Sequence, residues 1–533
     1  MTVSSSTSSS LTKWTQPTTM LSTILAMYIG YRAVLHLNTL RHQRALEPSP
    51  MDPLLKNNIQ FVSVNGKKLR VVHVPHALGS KVPLVVFIHG VGGQLEQFEK
   101  QIIALSANIL AVDMCGYGGS DVPESYGHYT TEAYVEDVVA LLQRYKSEDT
   151  VLICHSYGCA IGTLLYDRMQ QSIKGIVMIG PKALVTLHEQ QSKARLAKTP
   201  DWAVDLARKV DRIGGIHSQS VNRLVHSSAS DDLRRRQLRW NKASKTLVLK
   251  RLMAGVHYPT QQDFCKIQCP LLLLAGEDDR VCPPVNAEQI FKWRQGLSNL
   301  SSGAPFIIPR AGHQTMLEKW ELVNPIISAF FIKECGLSTI DQAWQLTLES
   351  QKENKWSLKN LEKWQNTPII SSSIGRGEGK FRAMKVLRQT DQLHSPSAFL
   401  AQHPEVGFII DISLDAPPYR TTDFDATSIT YIKLPTVSKV PPSKDDVKRF
   451  IAQCRACWAE KPGMDIAVHC HYGFNRTGLM LCSYLIEEQK YSVSEALVHF
   501  QETRPPKGIR HEHFKGELYL RYEAPPQLNT VII

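Results

Sequence analysis

Between residues 466 and 486 an apolar run, Ile466-Ala-Val468, leads into His469-Cys-His-Tyr-Gly-Phe-Asn-Arg-Thr-Gly478, and a helix-forming stretch follows to Ile486. A strand must deliver the cysteine and a helix must carry the arginine back beside it, which leaves little freedom to the fold around them. The junction also prescribes a chemistry. A phosphoryl group needs a nucleophile below it and fixed positive dipoles around its equatorial oxygens. Cys470 reads as that nucleophile. The backbone N–H groups of His471, Tyr472, Gly473, Phe474, Asn475 and Arg476 read as an anion nest before a helix expected at Gly478–Ile486. Arg476 adds a planar fork for two phosphate oxygens. The same dipoles should depress the thiol pKa, and Thr477 can hydrogen-bond the sulfur and ease its departure from a phosphocysteine. A plain buried cysteine with a turn glycine would leave the coincidence of strand, Cys, Gly, Arg, Thr and helix unexplained.

On these residues the chain from about 370 to 525 resembles the cysteine-dependent protein tyrosine and dual-specificity phosphatases. Within them it is most similar to the RNA 5′-triphosphatase domain of animal-type capping enzymes, which carries a similar Gly-Phe-Asn-Arg-Thr-Gly run. Gly379-Lys-Phe381, the strand Gly407–Leu414 with Asp411, Tyr431-Ile-Lys-Leu434, Arg504-Pro-Pro506 and Glu517-Leu-Tyr-Leu-Arg-Tyr522 extend the match. The resemblance implies an α/β phosphatase domain that works without a metal or other cofactor. Two departures stand out. Lys507 separates Pro506 from Gly508, which bears on the geometry of that substrate-side loop. Protein phosphatases of this type also place an aspartate on a loop before the signature, to protonate the leaving group. Here Pro435-Thr-Val-Ser-Lys-Val-Pro-Pro442 contains no carboxylate. Asp445 and Asp446 read instead as first-turn acids of a helix capped by Ser443. A phosphoanhydride leaving group needs less protonation, so the missing acid favours a 5′-triphosphate or similar anhydride over phosphotyrosine.

From about Ile59 to Lys333 short apolar runs alternate with helical stretches, the pattern of a mostly parallel sheet covered by helices. The strand Pro83–Ile88 ends in His89-Gly-Val-Gly-Gly93, and Asn108–Asp113 precedes Gly116-Tyr-Gly-Gly-Ser-Asp121. The strand Thr150–Cys154 runs into His155-Ser-Tyr-Gly158. Serine between strand and helix, with small neighbours, reads as a nucleophile elbow. Ser156 would be the nucleophile, with the N–H groups of Tyr157 and Val91 as oxyanion donors. Cys154 takes the place of the first glycine of the elbow pattern, a modest enlargement. Strand Pro270–Ala275 runs into Asp279, and strand Pro305–Ile308 into His313, so base and orienting carboxylate each follow a strand's carboxyl end. His89 reads as a stabiliser of its own loop. This half resembles the α/β-hydrolase superfamily, specifically the α/β-hydrolase-domain serine hydrolases. That resemblance implies ester or acyl-lipid hydrolysis, with a cap at about 182–262.

The domains expected are therefore a tail over 1–50, an α/β-hydrolase domain over 51–335, a linker over 336–369 with one or two docking helices and buried tryptophans, and the phosphatase domain over 370–528. The tail contains no acid through residue 46, and its apolar segment at about 20–37 would reach roughly 27 Å as a helix. It reads as a membrane or lipid-surface anchor holding the body at a cytosolic membrane face. A mitochondrial leader and a disordered or docking tail are the alternatives, and without an anchor the body would be cytoplasmic. Eleven irregularly spaced cysteines argue against a secreted disulfide framework, and the lone Cys454-Arg-Ala-Cys457 pair has no assigned role. The formal charge is +12, concentrated in residues 191–255, where Arg234-Arg-Arg236 with Arg239 and Trp240 could meet phosphates or an anionic surface.

The expected function is a bifunctional hydrolase. Its partners would be a phosphorylated substrate (RNA 5′ end, phosphoprotein or phosphoinositide) and an ester or lipid, with no metal site. A phosphatase carrying a non-catalytic lipid-binding or docking module and an anchored scaffold are the alternatives.

Overall fold

The computed structural model describes residues 50–295, 303–350, 358–377 and 379–525. Two sheets organise them. The first contains β1 (Ile59–Val64), β2 (Lys67–Val74), β3 (Leu84–Ile88), β4 (Asn108–Val112), β5 (Thr150–His155), β6 (Ile173–Ile179), β7 (Leu271–Gly276) and β8 (Phe306–Ile308), in the order β1-β2-β4-β3-β5-β6-β7-β8. β2 runs antiparallel to β1 and to β4, and every other pairing is parallel. β3 and β5 are buried at every residue because helices cover both faces, which is why they read as continuous apolar runs without alternation. Val86, Ile88, Leu152 and Cys154 feed one core, and Val85, Phe87, Val151 and Ile153 the other.

The second sheet is fully parallel, in the order β11-β10-β12-β9, with β9 at Phe381–Met384, β10 at Val406–Ser413, β11 at Thr430–Thr436 and β12 at Asp465–His469. Side chains from the helices Lys444–Glu460, Asn475–Glu487, Val493–Thr503 and Glu512–Tyr522 build the core on one face, and Trp364, Phe399 and Phe424 pack on the other. The fold is thus two α/β domains, the first with a helical cap between β6 and β7. That cap includes the helices Leu187–Lys198, Asp201–Asp211, Asp231–Ala243 and Thr246–Gly255.

Part of the basic run in the cap is turned inward or paired. Arg234 is buried and donates to the carbonyls of Ala229, His226 and Ser227 and to Asn222 Oδ1, tying off the loop before its own helix. Arg236 pairs with Glu99 at 3.2 Å, and Trp240 is buried. The membrane-anchor expectation is also corrected. Among the described residues no helix is long and apolar enough to cross a membrane. The longest, Lys444–Glu460, has 17 residues and an amphipathic, charged sequence. Residues 20–37, on which the anchor was placed, lie outside the described residues, and the membrane-face location is withdrawn with it.

The linker is tied down at both ends. Gln342 and Gln345, on the helix Gln342–Ser350, donate to the carbonyls of Ala104 and Ser106 in the first domain. On the helix Leu358–Gln365, Trp364 is buried against the second sheet and donates to Val386 O at 3.0 Å. Lys385 Nζ donates to Trp364 O and Thr367 O at 2.7 Å each, satisfying carbonyls at the helix end. Of the other two tryptophans expected to be buried, Trp344 is exposed and Trp356 lies outside the described residues.

Candidate active sites

At the end of β5 the chain turns so sharply that Ser156 adopts φ 55° and ψ −119°, a left-handed conformation unfavourable for a side-chain-bearing residue. The helix Tyr157–Met169 begins immediately, and its N-terminus points back at the serine. The enlargement at Cys154 is absorbed one turn into that helix. A Cβ on Gly162 would lie 2.5 Å from Cys154 Sγ, so the glycine supplies the room the sulfur occupies. Cys159 Sγ in turn donates to Cys154 O.

The structure brings Asp279 and His313 together. Asp279 Oδ2 accepts from His313 Nδ1 at 2.8 Å, and Oδ1 accepts from the N–H groups of Val281 and Cys282 at 2.8 Å each. The carboxylate is therefore held by its own loop, and the imidazole keeps Nε2 as an acceptor. Ser156, His313, Val91 and Tyr157 all line one cavity of about 380 Å³ beneath the cap. The N–H groups of Val91 and Tyr157 meet no protein acceptor among the described residues, while the Tyr157 hydroxyl is occupied with Thr131 Oγ1 at 2.8 Å. His89 does hold its own loop: Nδ1 donates to Gly90 O at 2.8 Å and Nε2 accepts from Met114 N–H at 2.9 Å. Burial pushes its pKa down to about 4, which keeps the ring neutral for that double role.

Two supports were not legible in the sequence. His155 stacks on His313 with ring centroids 4.7 Å apart and bonds His313 O through Nε2 at 2.9 Å, fixing the histidine loop from below. Asp113 is fully buried and accepts from Leu95 N–H, Gly119 N–H and Arg70, whose guanidinium also grips Glu96 at 2.8 Å.

The second site follows the same plan. β12 delivers Cys470, and the helix begins at Asn475, three residues before the expected start, so Arg476 and Thr477 lie in its first turn. Gly473 takes φ 71°, and a Cβ there would lie 2.2 Å from Met384 O. Only glycine lets the loop pass β9 at that distance. Thr477 Oγ1 donates to Cys470 Sγ at 3.3 Å. Burial works against ionisation of the thiol, but Arg476, Thr477 and the N–H groups of Thr477 and Gly473 outweigh it, and the pKa falls below the ordinary cysteine value. One nitrogen of Arg476 donates to Thr436 O at 2.8 Å, which fixes the guanidinium beside the loop.

The loop is braced from outside. Arg504 is buried and donates to Tyr472 O at 2.9 Å and Gly473 O at 3.3 Å. Lys507 does not disturb that anchor: it is exposed, and Gly508 N–H still reaches Arg504 O at 3.1 Å. Asn475 Oδ1 accepts from Arg510 and His511 N–H, and Phe474 lies under the Arg510 guanidinium at 3.7 Å. His471 and Tyr472 contribute an edge-to-face ring pair at 4.4 Å. Behind Cys470, His469 Nδ1 donates to Cys470 O at 3.0 Å and Nε2 accepts from Tyr419 at 2.9 Å. Asp411 spends its oxygens on Tyr431, Lys433 and Ser413. Asp446 closes a capping box with Ser443, and Asp445 pairs with Lys448 at 3.5 Å in the open. Positive charge dominates near the loop. Burial first, then His513, Lys363, Arg510 and Lys439 hold His511 down to about 4. A histidine directly before Ser156 and before Cys470 was the one sequence signal that could have foretold the buried supports at 155 and 469.

Fold and sites together define a fusion of two hydrolase-type domains. Residues 83–319 match the α/β-hydrolase fold and residues 390–524 the catalytic domain of dual specificity phosphatases. Through this second region, and a tyrosine-protein phosphatase of Autographa californica nuclear polyhedrosis virus matched at 30% identity over 119 residues, the chain belongs to the dual specificity phosphatase family. That match covers 22% of this chain and 70% of the viral protein. An abhydrolase domain-containing protein of Schizosaccharomyces pombe is 28% identical over 276 residues, covering 49% of this chain and 74% of its own. An mRNA-capping enzyme of Danio rerio is 30% identical over 176 residues, covering 30% of this chain; the matched part spans 28% of that enzyme's length.

Proposed function

We propose that the chain is a bifunctional hydrolase, with a metal-free cysteine phosphatase that acts on phosphoanhydrides and a serine hydrolase that acts on carboxylic esters. In the phosphatase, Cys470 attacks the terminal phosphorus and the anhydride P–O bond breaks to release the remaining diphosphate end, while Arg476 and the N–H groups of residues 471–476 bind the equatorial oxygens. Thr477 then stabilises the leaving thiolate as water cleaves the phosphocysteine. In the hydrolase, Ser156 attacks the acyl carbon, His313 takes its proton, Asp279 holds the imidazole, and Val91 and Tyr157 N–H groups receive the oxyanion. The functional units follow the boundaries 51–335 and 370–528.

The observation that carries the anhydride preference is the combination of a cationic rim with engaged carboxylates. Arg510 lies 3.7 Å over the Phe474 ring and Lys363 5.4 Å over the Tyr472 ring, while Asp411 and Asp446 are bonded elsewhere and Asp445 stands in the open beside Lys448. Such a site neutralises a polyphosphate and offers little help to an alkoxide leaving group. A 5′-triphosphorylated RNA end fits that chemistry, and the likeness to an mRNA-capping enzyme supports it. A substrate panel of 5′-triphosphate RNA, phosphotyrosine peptide, phosphoserine peptide and phosphoinositide tests the reading, with Cys470→Ser as the blank. Fastest release from the phosphotyrosine peptide would overturn it. Labelling of Ser156 by a fluorophosphonate, absent in Ser156→Ala, tests the other half. The room that Gly162 leaves for Cys154 Sγ supports a working elbow over a non-catalytic module.

A further inference from the structure

The cavity over Ser156 and His313 carries charge that hydrolysis of a neutral ester does not use. Lys182, Glu189, Arg208, Asp211, Arg212 and Arg223 all line it. Both carboxylates are already matched: Glu189 with Lys182 at 2.6 Å, and Asp211 with Arg223 at 2.6 Å. Arg208 and Arg212 are left, one helical turn apart at the end of Asp201–Asp211 and therefore on one side of it. Arg208 is held only by neutral acceptors, Thr246 Oγ1 at 2.6 Å and the carbonyls of Ser244 and Asn241 at 2.7 and 3.4 Å. The Arg212 side chain makes no hydrogen bond or ion pair among the described residues. Asp205 favours the charged form of both and Asp211 that of Arg212, while the Asp205 carboxylate also accepts the Thr246 hydroxyl.

Two guanidiniums a helical turn apart repel one another, and Asp205 offsets that repulsion for both only in part. Burial and then Arg212 lower the pKa of Arg208 against the pull of Asp205, and burial and then Arg212 lower that of Lys242. A planar fork binds a carboxylate or phosphate far better than it binds carbonyls. We propose that Arg208 and Arg212 form an anion subsite of the hydrolase cavity, so that the ester delivered to Ser156 bears a carboxylate or phosphate on the part lying under the cap. The inference rests on the serine-hydrolase reading above and names its substrate class.

The test uses the full chain and matched esters: p-nitrophenyl hexanoate against the p-nitrophenyl monoester of adipic acid, and hexanoyl glycerol against hexanoyl glycerol phosphate. The first pair reads a carboxylate and the second a phosphate. Wild type favours the anionic member of at least one pair. In Arg212→Gln the anionic-to-neutral ratio of kcat/KM falls by about tenfold or more, the loss that accompanies a charge-assisted hydrogen bond, and Arg212→Lys keeps part of it. A ratio equal in wild type and Arg212→Gln, with Ser156 still labelled by a fluorophosphonate, sinks the anion subsite and leaves the hydrolase standing. Absence of labelling sinks the hydrolase instead. Calorimetric binding of methyl hydrogen adipate and of glycerol phosphate then decides the subsite alone: binding of either that Arg212→Gln removes supports it, and binding of neither to wild type overturns it.

Discussion

Gly162→Ala tests how the elbow tolerates Cys154. In an ordinary helix interior the change would gain about 1 kcal/mol from propensity. Here the new Cβ would lie 2.5 Å from Cys154 Sγ, and that side chain is fully buried within the sheet–helix core with no solvent side to retreat to. Overpacking at such a contact costs about 2–3 kcal/mol, so the net expectation is a loss of about 1–2 kcal/mol once the propensity gain of about 1 kcal/mol is set against it. For a domain of this size each kcal/mol lowers Tm by about 2–4 °C, and differential scanning calorimetry resolves the shift in the hydrolase transition. Cys154→Ala removes the sulfur, and in that background Gly162→Ala becomes neutral or stabilising. The cycle should therefore show a coupling of about 2–3 kcal/mol. A single mutant no less stable than wild type, with no coupling to residue 154, would refute the packing argument.

Three further outcomes are expected. The depressed Cys470 pKa means the thiolate persists to lower pH, so iodoacetamide alkylation at this residue rises with pH through a midpoint below the free-cysteine value of about 8.5 and then levels off. Thr477→Val moves that midpoint up, and a wild-type midpoint at or above the free value contradicts the account. Arg504→Met releases the carbonyls of Tyr472 and Gly473, and phosphate release falls by about tenfold or more, from loss of charged hydrogen bonds worth about 1.5–3 kcal/mol; an unchanged rate argues against the brace. Asp113→Ala strips a buried acceptor from Arg70 and two N–H groups and destabilises the first domain by about 3 kcal/mol, read as a lower calorimetric transition. An unshifted transition would mean that Glu96 alone satisfies Arg70.

The sequence carried the two nucleophile junctions, because a strand, a small-residue turn and a helix must adjoin for either to work. It also carried the order of Ser156, Asp279 and His313, since each follows a buried strand that reads as an apolar run. The Ser443 cap with Asp446 was readable from local chemistry alone. What escaped was the long-range hydrogen bonding. Nothing near Arg504 says that its guanidinium reaches loop carbonyls more than thirty residues away, and Gly162 looks like an ordinary helical glycine until Cys154 is laid against it. The basic run 234–236 misled because charge along a sequence does not reveal burial: Arg234 closes carbonyls inside the cap. Four cations line the serine cavity instead, and of these Lys182 and Arg223 are paired with carboxylates while Arg208 and Arg212 have no salt bridge among the described residues.

The central claim is that the Cys470 loop, with Lys363 and Arg510 beside it and no carboxylate in the Pro435–Pro442 stretch before it, breaks phosphoanhydrides. Initial rates of phosphate release from a 5′-triphosphorylated RNA and from a phosphotyrosine peptide, measured on the same preparation with Cys470→Ser as control, test it most directly. The account predicts faster release from the triphosphate, abolished by Cys470→Ser. Faster release from phosphotyrosine, equally dependent on Cys470, would contradict it.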